Sequence, residues 1–428
     1  MNSRKIMAVV LLLSLMLSAF VGCRTATEET EPATEAITEV ENETETEPET
    51  ETEPETETET EPETEPETEP PLPDEAERLD NADSNITGWS DDSDYNLPDG
   101  KVETEEPEPE EPKRIYHYLN GKTVTAEEQQ KRPVAIMVNN IKNCLPQAGI
   151  SYGDMFYECS AEGGITRLMM LTTDYESIPL VGSIRSSRDY FIDFLANHEA
   201  MYVHAGGSGM AYEKIAWRKI NNMDGVNMYI PGMFWRDEWR LNNMGLEHSL
   251  MTDGEKIAAG IEYLGYETTL PDTYVCPFEF YDENTNNHIS GSPASHVRMI
   301  STSVQTVDFV YDEKTGEYWR YQYNGMPHVD ANNDKQLSFK NVLILFTDIN
   351  VIPGDEYGRL SVGTVGEGQG YYITNGKRKV INWSRSGKTT PIQMEYRNGD
   401  ELILNCGKTF ICVVDDSVAG KINFEYEW

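Results

Sequence analysis

Positive charge is scarce in this sequence. Of 428 residues, 34 are Lys or Arg against 75 Asp or Glu, a formal net charge of −41. No basic stripe runs through the chain, so the electrostatic footprint of a nucleic-acid binder is missing. Histidine is also sparse: the seven present show no ligand spacing, and HExxH does not occur. The six cysteines form neither CxxC nor a zinc pattern. Complete catalytic signatures are absent too. Gly206-Gly207-Ser208-Gly209-Met210 lacks the last glycine of a nucleophile elbow. Gly387-Lys388-Thr389 resembles the end of a P-loop, but Asn382 stands where the earlier glycine is required. Ser384, Ser386 and Lys388 do not form S-x-x-K. Gly366, Gly368 and Gly370 alternate among strand-like residues, which predicts a bulge or sharp turn rather than a dinucleotide loop.

Long apolar runs are missing except at the start. Arg4 and Lys5 precede an apolar run over residues 6–21, and Gly22-Cys23 ends it. This pattern predicts a lipoprotein signal peptide at 1–22, with Cys23 carrying palmitate-type acyl chains. The rival is an uncleaved anchor, for which the run falls short of the roughly 20 residues needed. Either reading puts the bulk of the chain beyond the outer face of the cytoplasmic membrane. The expected partners are the membrane, through the lipid, and a cell-wall component or envelope protein, with no nucleic acid. If Cys23 is lipidated, Cys144, Cys159, Cys276, Cys406 and Cys412 remain. Five cannot all pair within one chain. Buried free thiols are expected, with a Cys406–Cys412 bridge as the alternative.

Residues 24–112 hold 35 acidic and 3 basic residues, mostly in Thr-Glu and Pro-Glu-Thr units. Such a segment cannot build a core, so 23–112 is expected to be a long disordered acidic linker. A coil of this length reaches about 50 Å, and self-repulsion extends it. Residues 113–428 carry 40 acidic and 29 basic residues, so the extreme charge belongs to the linker.

Beyond it the pattern predicts an α+β protein. An N-terminal α/β domain with a mixed sheet (113–275) is followed by a mainly antiparallel, β-rich C-terminal domain (276–428). Residues 133–138, 155–159 and 165–172 read as strands, and Glu162-Gly163-Gly164 as a hairpin turn. Residues 253–264 read as a helix. After 296 come short alternating runs, with Asn375-Gly376 and Asn398-Gly399 as tight hairpin turns.

One stretch concentrates chemistry: residues 181–208, VGSIRSSRDYFIDFLANHEAMYVHAGGS. Tyr190, Phe191, Phe194 and Leu195 share a helical face, with Ser186 or Ser187 as cap and Asp189 at the positive end of the dipole. A strand at 200–204, a glycine turn and a helix at 210–220 follow. The arginine loop and the glycine loop should meet beyond the carboxyl ends of the strands, where ligands bind in open sheets. Arg185, Ser186, Arg188, His204, Gly206, Gly207 and Ser208 are therefore candidate anion-binding residues. The competing reading is ordinary ion pairing and turn chemistry. Asp154, Glu158, Glu162, Arg167, Arg236, Arg240 and His248 are secondary candidates, as charge partners or as acids and bases.

The runs RPVAIMVNN (132–140), GDMFYECSAEGGITR (153–167), VGSIRSSRDYF (181–191) and MYVHAGGS (201–208) resemble the YerB-type lipoprotein family. So do FKNVLIL (339–345), TVGEGQGYYITNGK (364–377) and INWSRS (381–386). That resemblance implies a secreted, lipid-anchored protein of Gram-positive bacteria with a two-part domain and brings no established activity. The family tends to have proline after HAGGS, where this chain has Gly209. In order and residue type only, the arginine and glycine loops are also similar to wall-polymer transferases of the LytR–CpsA–Psr type.

Two functions follow as expectations. The first is a non-catalytic envelope lipoprotein that binds a ligand or partner and needs no cofactor. The alternative is a phosphotransferase or hydrolase on lipid-linked or wall-polymer phosphates. There Arg185 and Arg188 would clamp the phosphates, and Asp154 or Glu158 would hold Mg²⁺ or act as base.

Overall fold

The computed structural model describes residues 114–428. The expected signal peptide, Cys23 and the acidic linker lie outside the described residues. No helix among those described is long and apolar enough to cross a membrane.

The apolar runs form the strands expected of them. In the amino half these are β1 (Val134–Asn139), β2 (Met155–Ser160), β3 (Thr166–Thr172), β4 (Met201–His204) and β5 (Asn222–Asp224). The carboxyl half supplies β6 (Ser292–Pro293), β7 (His296–Ile300), β8 (Thr306–Asp312) and β9 (Glu317–Gln322). It then adds β10 (Asn341–Thr347), β11 (Gly366–Thr374), β12 (Lys377–Arg385), β13 (Gln393–Tyr396) and β14 (Thr409–Asp415). The helices used below are α1 (Asp189–Ala196), α2 (Gly209–Arg218), α3 (Glu238–Met244) and α4 (Gly254–Leu264).

Eleven strands form one mixed sheet, ordered β6-β12-β11-β10-β14-β2-β3-β1-β4-β5 with β13 beside β12. The pairs β1–β4, β4–β5, β2–β14 and β10–β14 are parallel; β1–β3, β2–β3, β10–β11 and β11–β12 are antiparallel. The amino-terminal part is thus mixed α/β and the carboxyl-terminal part mainly antiparallel. The segments 113–275 and 276–428 nevertheless share this sheet, because β2 pairs with β14 from Met155↔Thr409 to Cys159↔Val413. The sheet has no break at residue 275.

Its central strands are buried on both faces, which explains their near-continuous apolar runs. Ile136 and Val138 enter one core and Ala135 and Met137 the other. The antiparallel β7–β8–β9 sheet and α4 cover the first core; α1 and Phe278 cover the second. All five described cysteines are free thiols. Burial pushes Cys144 up to about 12 and Cys276 up to about 11, so neither is poised as a thiolate nucleophile.

Two local expectations are corrected. Gly366, Gly368 and Gly370 lie inside β11, in regular register with β12, rather than in a bulge or turn. A Cβ at Gly368 would sit 2.6 Å from the Trp383 ring nitrogen and 2.8 Å from Phe346 O. Gly368 and Gly370 therefore serve close packing across the sheet, whereas Gly366, at φ +122, has nothing within 4 Å of a Cβ. The α1 cap is Arg188, with no side-chain cap bond, rather than Ser186 or Ser187. Ser187 Oγ instead accepts from Tyr202 Oη at 3.0 Å.

Candidate functional site

Three parallel strands, β1, β4 and β5, end at one edge of the sheet in Asn139, His204 and Asp224. The loop carrying Arg185, Ser186 and Ser187 crosses this edge. Ala205 N–H donates to Arg185 O (2.9 Å) and Ser187 N–H to Gly206 O (2.9 Å). The arginine loop and the glycine turn thus lie side by side, as the spacing predicts.

Asp224, which the sequence reading did not single out, organises the turn. Its carboxylate accepts from the N–H groups of Gly206 (2.7 Å) and Val226 (2.9 Å) and from Tyr212 Oη (2.7 Å). Burial alone would raise its pKa; His204 and these donors outweigh that and hold it below the usual carboxylate range. Gly206 has φ +73, a backbone state in which glycine is at ease. Ser208 caps α2 by accepting from Ala211 N–H at 3.2 Å. Gly209 opens the helix, and a Cβ there would meet nothing within 4 Å. A proline in that first helical position would be accommodated, so the departure from the family pattern leaves the turn intact. The N–H groups of Gly207, Gly209 and Met210 have no acceptor among the described residues.

His204 is fully buried. Its Nδ1 donates to Gly206 O (2.9 Å), its Nε2 lies 3.2 Å from Asn222 Oδ1, and the ring stacks on Tyr202. It props the turn from beneath and does not face solvent, so of the expected anion-binding residues it supports the rim rather than lining it.

The arginines are unequal. Arg188 makes a two-pronged pair with Glu162: Nε to Oε1, and a terminal nitrogen to Oε2 at 2.8 Å. Arg167 joins at 3.5 Å from Glu162 Oε2 and donates to Ser186 O at 2.6 Å. Burial would raise Glu162; the two guanidinium groups hold it below its ordinary value. Burial, aided by the Arg188 charge, brings Arg167 down to about 10. Arg185 donates to Glu247 Oε2 at 2.7 Å. Its side chain is 14 % exposed and that of Glu247 is 69 % exposed, so this pair alone in the cluster meets solvent on its acidic side. Arg185 holds the Glu247 carboxyl below the usual range. Three arginines against two glutamates leave one positive charge in excess.

The remaining candidates divide by position. Asn139 Nδ2 donates to His248 Nδ1 at 2.7 Å, and burial with Arg185 nearby lowers the His248 pKa. Arg236 donates to Leu246 O at 2.5 Å, and Arg240 to Cys144 O (3.1 Å) and Pro146 O (2.8 Å); both fasten loops of the rim. Asp154 immediately precedes β2 at the opposite edge of the sheet, where it accepts from Asn120 Nδ2 at 2.8 Å.

Glu158 is buried in an ion pair with Arg320 of β9 at 2.7 Å. It also accepts from Asn140 Nδ2 (3.0 Å), Thr166 Oγ1 (2.6 Å) and Gln305 Nε2 (3.2 Å). Neither Asp154 nor Glu158 therefore stands beside Arg185 to hold a metal or take a proton. No group of three or more His, Cys, Asp or Glu among the described residues is arranged to hold a metal ion. A cleft of about 830 Å³, lined among others by Glu279, Glu367, Trp383 and Glu395, lies in the carboxyl half and includes none of the expected site residues.

Comparison with known proteins matches residues 119–267 to "Protein of unknown function (DUF3048) N-terminal domain" and residues 296–411 to its C-terminal domain. The chain is similar to YerB of Bacillus subtilis (strain 168), a protein whose name includes the word lipoprotein. The two are 26 % identical over 316 residues, covering 74 % of this chain and 91 % of that protein. The crystal structure of YerB from Bacillus subtilis superposes with a TM-score of 0.62 at 25 % identity, covering 72 % of this chain and 99 % of that one.

Proposed function

Since this chain belongs to the family built from those paired domains of unknown function, we propose that it is a lipid-anchored, extracytoplasmic binding module of the cell envelope. In this reading Cys23 carries the lipid, the acidic segment is a tether, and the rim at Arg185 takes an anionic group of a wall component or envelope partner. The observation that carries the binding role is the Arg185–Glu247 pair. It is the one ion pair of the arginine cluster with an exposed acidic member, beside backbone N–H groups that lack acceptors. The catalytic alternative has less support, because Asp154 and Glu158 are engaged elsewhere.

Titrating inorganic pyrophosphate into the full chain tests the binding role. A guanidinium–phosphate contact contributes about 1.5–3 kcal/mol, so Arg185→Ala should weaken binding about tenfold or more. Equal affinity of wild type and variant rules Arg185 out as a contact. For the anchor, Cys23→Ser should move the protein from the membrane fraction to the soluble one; retention in the membrane would contradict lipidation at that residue.

A further inference from the structure

The cluster around Arg185 contains donors with nothing to bond. Ser183 is fully buried and its Oγ has no partner. The Nε atoms of Arg167 and Arg185 are buried and unpartnered as well. Arg167 donates to Ser186 O, and Ser183 and Arg185 lie on the same loop as that carbonyl. Buried polar groups are rarely left unsatisfied, and a group of them in one place calls for an explanation.

Glu247 supplies part of it. Its carboxylate engages one terminal nitrogen of Arg185 at 2.7 Å and leaves Nε unbonded. A carboxylate has two oxygens; a phosphate has more, arranged in a tetrahedron, and so can reach donors that lie out of one plane. Charge leads the same way. With Glu247 removed, Arg167, Arg185 and Arg188 face Glu162 alone, an excess of two positive charges. A phosphate monoester near neutral pH carries about −1.5 to −2. The Glu247 side chain is 69 % exposed, so it can leave by rotating into water without moving the backbone.

We propose that Glu247 is a built-in stand-in for the ligand's anion: a side-chain gate that a phosphate group displaces, with Ser183 and the arginine Nε atoms among the donors the phosphate gains. This rests on the anion-binding reading above and adds the ligand class and the gate.

The test uses the full chain with inorganic phosphate, phenyl phosphate and acetate as probes, followed by calorimetry and by ³¹P line broadening. Glu247→Gln removes the competing charge and should tighten both phosphates about tenfold, with little effect on acetate. Ser183→Ala should weaken phosphate several-fold while leaving the melting temperature unchanged, since that hydroxyl bonds nothing in the free protein. If Glu247→Gln binds phosphate no better than wild type while Arg185→Ala has lost it, the gate is refuted and the anion site stands. If Arg185→Ala also binds as wild type, both fall. Equal tightening of acetate and phosphate in Glu247→Gln would overturn the assignment to phosphate.

Discussion

At the scale of single residues, the structure separates charges that do similar work on paper. Arg185 and Arg188 are three apart in sequence, yet Arg185 faces an exposed glutamate and Arg188 a largely covered one. Residue types and spacing located the cluster but could not rank its members, because the ranking depends on acids 26 and 62 positions away. Asp224 escaped notice because a lone Asp before a glycine reads as turn chemistry.

Buried histidines make a second point at this scale. Burial, with Arg385 nearby, pulls His198 down to about 3, where its Nε2 lies 2.9 Å from Tyr157 Oη. An unfolded imidazole titrates near 6.5. The folded value is the lower one, so the neutral ring's full contribution is present above about pH 6.5 and is lost as pH falls from there toward 3. The loss from this residue amounts to about 2 kcal/mol by pH 5. His198→Gln cannot titrate, so its urea-unfolding stability should fall between pH 7 and pH 5 by about 2 kcal/mol less than that of wild type. His328, also lowered by burial and by Arg320, keeps a residual slope in the variant. An unchanged slope would assign the acid sensitivity to other groups.

At the scale of elements, strands and helices were legible because period and burial agree. The PVAIMV run became β1, and the Asn375-Gly376 dipeptide closes the β11–β12 hairpin, Asn375 at φ 49 and Gly376 at φ 72. What failed was the inference of irregularity from glycine. In GEGQG the residues alternate as a strand requires, and Gly368 and Gly370 mark where Trp383 and the backbone of β10 come close. A methyl group at Gly368 has nowhere to go but into the Trp383 ring or Phe346 O. Gly368→Ala should therefore cost about 1–3 kcal/mol, the usual range for overpacking, read as a lower melting temperature. Gly387→Ala, whose Cβ would meet nothing within 4 Å, is the control and should change little. Equal effects from the two would refute the close-approach account. The short helix α3 was missed because its large apolar residues, Trp239 and Leu241, are exposed, so no inward apolar stripe announces it.

At the scale of the whole molecule, two sequence families meet in one sheet. Their matches stop at 267 and restart at 296, but β2 of the first half pairs with β14 of the second. Arg320 of the second half reaches Glu158 of the first with both side chains buried. A trace of that pair was present in the sequence: the alternation of EYWRYQ puts Arg320 on the same face as Tyr318 and Gln322, an inward slot that a charge enters only with a partner. Its partner across 162 positions could not be read locally. Cutting the chain at 275 would leave β2 and β14 as bare apolar edges and Glu158 as an unpaired buried charge. Both consequences are costly, the second by about 3–5 kcal/mol. Residues 114–428 should therefore unfold in one calorimetric transition. Fragments 114–275 and 276–428 should each lack a cooperative melt and recover one only when mixed. Arg320→Met in the intact chain should lower stability by a similar 3–5 kcal/mol, and adding Glu158→Met should restore part of it, because the orphaned carboxylate is then gone. A fragment that melts cooperatively alone would make the halves true domains. The shared sheet would then be a docking surface rather than a common core.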